Sequence, residues 1–178
     1  MKRNKISPEQ KLSERCFVLV RVIKDMRQVY LDVESTPTQK DLLETMIGAA
    51  IWYLPNSREL YTGMISASAL KGIPQGEKPC MDHLYPRKIA GRELLVRKNI
   101  ELNGVKLIEL YKTKYGLYNL VTKLENKKLV KHQKAGNFVS ADEAYKNAGI
   151  QLHHVSLEEL RKRGISRKTD NRELKTEN

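Results

Sequence analysis

The sequence predicts an α+β protein, on three observations. Two long segments near the start repeat apolar residues at helical steps. The middle of the chain holds short β-compatible runs around turn-forming residues. The tail holds two short segments, each opened by a serine and closed by a glycine.

Residues 7–31 read as the first helix. Ser7 serves as N-cap, Pro8 fits the first helical position, and Gln10 stands where a capping box requires it. Leu12, Cys16, Leu19, Ile23, Met26 and Tyr30 form its apolar stripe. Thr36-Pro37-Thr38 breaks the chain, and a second helix runs from about Thr38 to Tyr53 before Pro55. Its expected apolar face is Leu42, Leu43, Met46, Ile47, Ala50 and Ile51, with Trp52 in the core. Residues 56–79 are a glycine- and proline-rich connector with room for short pieces around Tyr61–Leu70. Residues 94–102 and 105–111 flank Asn103-Gly104, which predicts a β-hairpin. Gly116 to Thr122 reads as a strand. Thr122 and Glu125 then form a capping box for a helix reaching about Gln133. Ser140 caps a short helix closed by Gly149. Ser156 caps another that ends at Gly164, so the tail reads as helix-turn-helix-like with His153-His154 in the turn. From Lys168 the chain is polar and reads as frayed. These elements divide the chain into an N-terminal helical scaffold (1–75), a central core (76–135) and the tail (136–178).

Composition excludes several classes. The chain has 178 residues, 40% hydrophobic and 30% charged, a globular composition with a polar bias. No apolar run nears the roughly 18 residues that cross a bilayer. The basic start is followed by no apolar stretch of secretory type, so a cytoplasmic setting, in a bacterial or phage-infected cell, is expected. Cys16 and Cys80 are too few for a disulfide framework or a four-cysteine zinc site. The net charge of +12 is concentrated: residues 87–134 carry 13 basic and 4 acidic groups, net +9. A polyanion is the natural partner of such a block, because each neutralised phosphate releases counterions. DNA is the expected partner, ahead of RNA, with no membrane.

The residues that carry chemistry are Asp82-His83-Leu84-Tyr85-Pro86 and Tyr118-Asn119-Leu120-Val121-Thr122-Lys123-Leu124-Glu125-Asn126. Neighbours on a strand point to opposite sides, yet at a strand end both can reach one site. Neutral imidazole takes a proton from water near pH 7. A carboxylate and an amide oxygen are hard ligands suited to Mg²⁺. Together they form a recipe for phosphodiester hydrolysis.

These two segments resemble the HNH, or ββα-metal, endonucleases, including phage and homing types. Asp82-His83-x-x-Pro86 is similar to that family's first element, and Thr122-x-x-Glu125-Asn126 to its helix start. The resemblance spans about residues 80–132. It implies a ββα-metal core with His83 as general base, Asp82 and Asn126 as ligands of one divalent ion (Mg²⁺, with Mn²⁺ an alternative), and Asn119 as a loop brace. His83 and Asn126 are 43 positions apart, which the Asn103-Gly104 hairpin would absorb as an insertion. The family's structural zinc cysteines are absent. A monomer would nick DNA, whereas a homodimer would cut both strands.

Arg87 and Lys88 directly follow the motif, and Lys127, Lys128, Lys131 and Lys134 follow Asn126. All are candidates for holding phosphates, which positions a duplex without reading it. Tyr85, Tyr111, Tyr115 and Tyr118, interleaved with this block, could stack on bases or pack the hairpin. His132 reads as a surface residue. The alternative to a nuclease is a non-catalytic DNA- or RNA-binding regulatory protein that uses the same basic block.

Overall fold

The computed structural model describes residues 6–96, 101–134 and 136–164. Its elements, in chain order, are α1 (Pro8–Leu31), α2 (Pro37–Trp52), β1 (Tyr61–Ser66), α3 (Ala67–Gly72), β2 (Cys80–His83), α4 (Arg87–Val96), α5 (Gly104–Leu110), β3 (Tyr118–Val121), α6 (Lys123–Leu129), α7 (Ala141–Asn147), β4 (Leu152–His154) and α8 (Leu157–Lys162). The class is α+β, as expected. The frayed tail read from Lys168 lies outside the described residues, as do residues 97–100 of the first expected hairpin strand.

Helix starts follow their caps. Ser7, Thr36, Ser66, Asn103, Thr122, Ser140 and Ser156 each accept a backbone N–H of the following turn through the side chain. Such a cap satisfies an otherwise orphaned donor and is worth about 1 kcal/mol. Gln10 does not complete a capping box; its amide donates to Glu14 instead. Gly149 (φ 68°) and Gly164 (φ 97°) end α7 and α8 in the left-handed conformation that glycine adopts freely.

The expected Asn103-Gly104 hairpin is a helix start. A two-residue type I′ turn needs positive φ at both central residues. Asn103 has φ −127° and caps α5 by accepting from the Lys106 N–H. Gly104 is buried against the Phe17 ring, where an added Cβ would come within 2.8 Å. Gly104, Leu107 and Leu110 then bury at helical spacing, and the chain continues through a π-helical turn, Tyr111–Tyr115. The inserted β-hairpin is therefore replaced by helix, and residues 94–96 belong to α4. The helix after β3 is also shorter than expected, ending at Leu129.

The four strands form one mixed sheet in the order β2-β3-β1-β4. β2 and β3 are antiparallel, β1 and β3 parallel, and β1 and β4 antiparallel. The sheet thus draws strands from all three segments distinguished in the sequence. The helix-turn-helix-like tail is corrected: β4 separates α7 from α8, and His153 and His154 pair with Ile65 and Met64 of β1 rather than forming a turn.

One side of the sheet meets the main apolar core. Leu12, Cys16, Leu19 and Ile23 of α1, Ile47 and Ile51 of α2, Leu94 and Leu95 of α4 and Leu107 of α5 bury there with Tyr111, Tyr115 and Tyr118. The α1 stripe is as expected, with Met26 only half-buried. The α2 face is rotated: Leu42 and Met46 are exposed, while Glu44 and Gly48 are buried with Ile47 and Ile51. α4 is the reason. Its Gly91 lies against the Glu44 carbonyl and Gly48 against the Arg87 carbonyl, where added Cβ atoms would come within 2.1 and 2.2 Å. This backbone-to-backbone crossing brings the C-terminal end of α2 over the start of α4. Glu44 is satisfied inside the crossing by the Tyr30 hydroxyl at 2.7 Å and by two Arg92 N–H donors at 2.8 and 3.0 Å.

The other side of the sheet meets α6 and α7. Val121, Leu129, Ala144, Tyr145 and Ile150 form a small apolar cluster there, with Cys80 packed against it.

Candidate functional site

Strand alternation decides where each motif residue goes. Asp82 stands directly opposite Asn119, and His83 opposite Tyr118, in the antiparallel β2–β3 pair. Cross-strand partners share a face, and successive residues do not. Asp82 and Asn119 therefore look toward α6 and α7, whereas His83 and Tyr118 look toward the α1–α2–α4 core.

The α6–α7 side is lined with buried polar groups. Asp82 is 4% exposed and Asn119 3%. The Asp82 carboxylate accepts from the Tyr145 hydroxyl and from the Gln133 amide, at 3.1 and 3.2 Å to its two oxygens. Burial raises the Asp82 pKa, and the hydrogen bonds from Tyr145 and Gln133 oppose that rise. Burial likewise raises the Tyr145 pKa, and the Asp82 charge adds to it, so the phenol stays protonated and donates. Asn119 Oδ1 accepts from the Thr62 hydroxyl of β1. Asn126, on the first turns of α6, lies near the Cys80 sulfur on the same strand face as Asp82, and its amide opposes the upward push of burial on the thiol. The α6 start is fixed by its own cap. Thr122 accepts from the Glu125 N–H, and Glu125 accepts from the Thr122 N–H and from the buried Ser66 hydroxyl at 2.6 Å.

His83 occupies a different environment. Its ring lies 4.8 Å from that of Trp52 and 6.3 Å from that of Tyr118. Nδ1 is buried without a well-formed hydrogen bond. Burial lowers the His83 pKa, with the Gly116 backbone opposing, so the imidazole is neutral at pH 7. Trp52 is not a core residue: it is 43% exposed at the end of α2. The Arg87 guanidinium lies over its ring, 5.0 Å from the centroid.

No family model matches this chain, and comparison with curated proteins and with solved structures returns no match.

Of the sequence-expected residues, the fold brings Asp82, Asn119 and Asn126 to one face of β2–β3 and sends His83 to the other. Arg87 is exposed over the Trp52 ring, which itself neighbours His83, while Lys88 is ion-paired with Asp41. Lys127, Lys128, Lys131 and Lys134 are exposed on and after α6. His132 is half-buried with Nε2 enclosed, not a plain surface histidine. The tyrosines Tyr111, Tyr115 and Tyr118 are buried, so they pack rather than face a ligand. Sequence reasoning missed Tyr145, Gln133 and Thr62 as partners of the motif. Tyr145 is 63 positions from Asp82, and no local pattern marks such a pairing.

Asp82, Asn119 and Asn126 carry oxygens of the hard type that a divalent ion takes, but the Asp82 carboxylate and the Asn119 Oδ1 are buried and already accept from Tyr145, Gln133 and Thr62, so an ion would have to displace those donors. Among the described residues, no group of three His, Cys, Asp or Glu side chains is placed to hold a metal. An ion at this face would rest on Asp82, the amides and water. Among the described residues, no helix is long and apolar enough to cross a membrane.

Proposed function

We propose that the chain is a metal-dependent endonuclease that hydrolyses phosphodiester bonds of DNA. The observation that carries this reading is the β2–β3–α6 unit. An antiparallel pair sets Asp82 opposite Asn119, and a doubly capped helix sets Asn126 on the face of β2 that Asp82 shares. This supports the HNH resemblance because sequence-distant motif residues meet in a strand–strand–helix order.

In this reading Asp82 and Asn126 would hold one Mg²⁺ or Mn²⁺, which when bound would supply charge neutralisation at the scissile phosphate. Tyr145 and Gln133 orient the Asp82 carboxylate by donating to it. His83, kept neutral by burial, is the proton acceptor for the attacking water. Because His83 and Asp82 leave β2 on opposite faces, the phosphate must sit at the end of the strand, where Leu84-Tyr85-Pro86 turns the chain. The exposed Lys127, Lys128 and Lys131 hold the duplex by its phosphates.

A second reading is a nucleic-acid-binding protein without catalysis. The observation that favours it is the saturation of Asp82 by Tyr145 and Gln133, which gives the carboxylate a purely structural use. Plasmid cleavage with and without Mg²⁺ or Mn²⁺, run beside His83→Ala, separates the two. Relaxed or linear product that requires both the ion and His83 is the expected outcome. Product from folded His83→Ala at the wild-type rate removes His83 from the mechanism. Retardation of intact plasmid in every lane, steeply weakened by salt, favours the binding protein.

A further inference from the structure

We propose that Trp52 and Arg87, beside the end of β2, form a docking site for an unpaired nucleotide of a single-stranded nucleic acid, with the base stacked on the Trp52 ring and the adjacent phosphate on Arg87. The inference deepens the reading above and rests on the chain binding nucleic acid. Three observations carry it.

The first is that Trp52 is placed, not loose. The Gly48 and Gly91 crossing fixes the end of α2 over the start of α4, and the His83 ring backs the indole at 4.8 Å. The residue nevertheless remains 43% exposed. An aromatic ring backed on one side by another ring and covered on the other only by an exposed cation suits base stacking, because its contacts already restrict the side chain when the base arrives.

The second is the state of Arg87. It is exposed, its guanidinium lies over the indole, and no ion pair joins it to a carboxylate among the described residues. Its sequence neighbour Lys88 is instead paired with Asp41. An exposed cation–π contact is weaker than a charge-assisted hydrogen bond to phosphate. Arg87 can therefore move from the ring to a phosphate without breaking a salt bridge, and in moving it uncovers the surface on which the base stacks.

The third is position. Arg87 and Trp52 flank His83, four residues and one ring contact away, at the strand end where the proposed reaction would take place. A base held there would be unstacked from its neighbours, which costs least in a single strand.

The experiment uses the full chain and its own reporter, since Trp52 is the one tryptophan in the sequence. Short labelled thymidine and uridine oligonucleotides are titrated with the protein at low salt. Binding anywhere is read from label anisotropy, and binding at this site from Trp52 emission. The expected result is saturable quenching of Trp52 with the midpoint seen by anisotropy. Trp52→Ala should weaken single-strand binding about tenfold, as loss of a stacking platform does. Trp52→Phe, which keeps an aromatic face against His83, should retain most of the affinity and serves as the folded control. Arg87→Gln should weaken binding and flatten its salt dependence by about one charge. Anisotropy binding with unchanged Trp52 emission, or wild-type affinity in folded Trp52→Ala, overturns the site while leaving the nuclease reading intact. Absence of binding to every single strand while duplex plasmid is still cut has the same meaning. Absence of any binding or cleavage, duplex included, overturns both.

Discussion

The two sides of the small sheet are built in different proportions of apolar packing and polar pairing. On the α1–α2–α4–α5 side, large apolar side chains interlock and two helices touch backbone to backbone through Gly48 and Gly91. On the α6–α7 side, a smaller apolar cluster of Val121, Leu129, Ala144, Tyr145 and Ile150 shares the strands with four buried polar residues, Ser66, Asp82, Asn119 and Glu125. The first side is stabilised chiefly by excluded water and dense packing, the second by a smaller apolar cluster and by completing hydrogen bonds of groups that would be costly to leave unpaired. His83 and Asp82, one residue apart, sit on either side of this divide. The difference teaches that the same four-residue strand can serve as packing surface and as a rack for polar chemistry, provided that helices on each face match it.

That contrast can be broken most strongly at the glycine crossing. Gly91→Ala places a Cβ about 2.1 Å from the Glu44 carbonyl, and backbone cannot move aside as a side-chain tip can. We expect a loss of about 3 kcal/mol, at the upper end of the cost of overpacking. Urea unfolding followed by circular dichroism would measure it, and an unchanged midpoint would mean that α2 and α4 are not in this contact.

The polar side should respond less. Tyr145→Phe keeps the ring and removes one donor to Asp82, leaving Gln133 as the remaining one. The expected cost is about 1–2 kcal/mol, with the Asp82 pKa driven further upward. The same unfolding experiment, repeated with Asp82→Asn in both backgrounds, would show whether the two losses are coupled, as the shared hydrogen bond requires.

The smallest effect is the proton linkage of His83. Its pKa lies below the ordinary 6.5 when folded, because burial disfavours the charged form. Below pH 6.5 the unfolded chain therefore binds a proton that the folded chain resists. Stability contributed by the neutral ring is full above 6.5 and falls as pH drops toward the folded pKa, by at most about 1.4 kcal/mol per pH unit. His83→Phe preserves a ring beneath Trp52 and should flatten this slope relative to the wild type. Parallel pH profiles of the two proteins would place the proton elsewhere.

Much of this architecture was legible locally. The first two helices, the strand before Thr122, the Thr122–Glu125 capping box and both serine-capped tail helices follow from cap chemistry and apolar spacing, which act within a few residues. Asn103-Gly104 misled because Asn is at home both in a tight turn and at a helix N-cap. What decided between them was Phe17, about ninety positions away, whose ring needs a neighbour without a Cβ. β4 escaped notice because a three-residue strand has no periodicity of its own and exists by pairing with β1. Helical spacing alone places Trp52 with the core, but the α2 face is turned toward Glu44 and Gly48, against which α4 packs.

By itself, then, the sequence determined the α+β class, most helix starts, the concentration of positive charge and the identity of the motif residues. Each of these depends on interactions between near neighbours or on composition. Only the tertiary structure decided which faces those residues share. It set Asp82 with Asn119, Tyr145 and Gln133, and it set His83 with Trp52 and Arg87, because strand pairing and helix docking join side chains that the chain order keeps far apart.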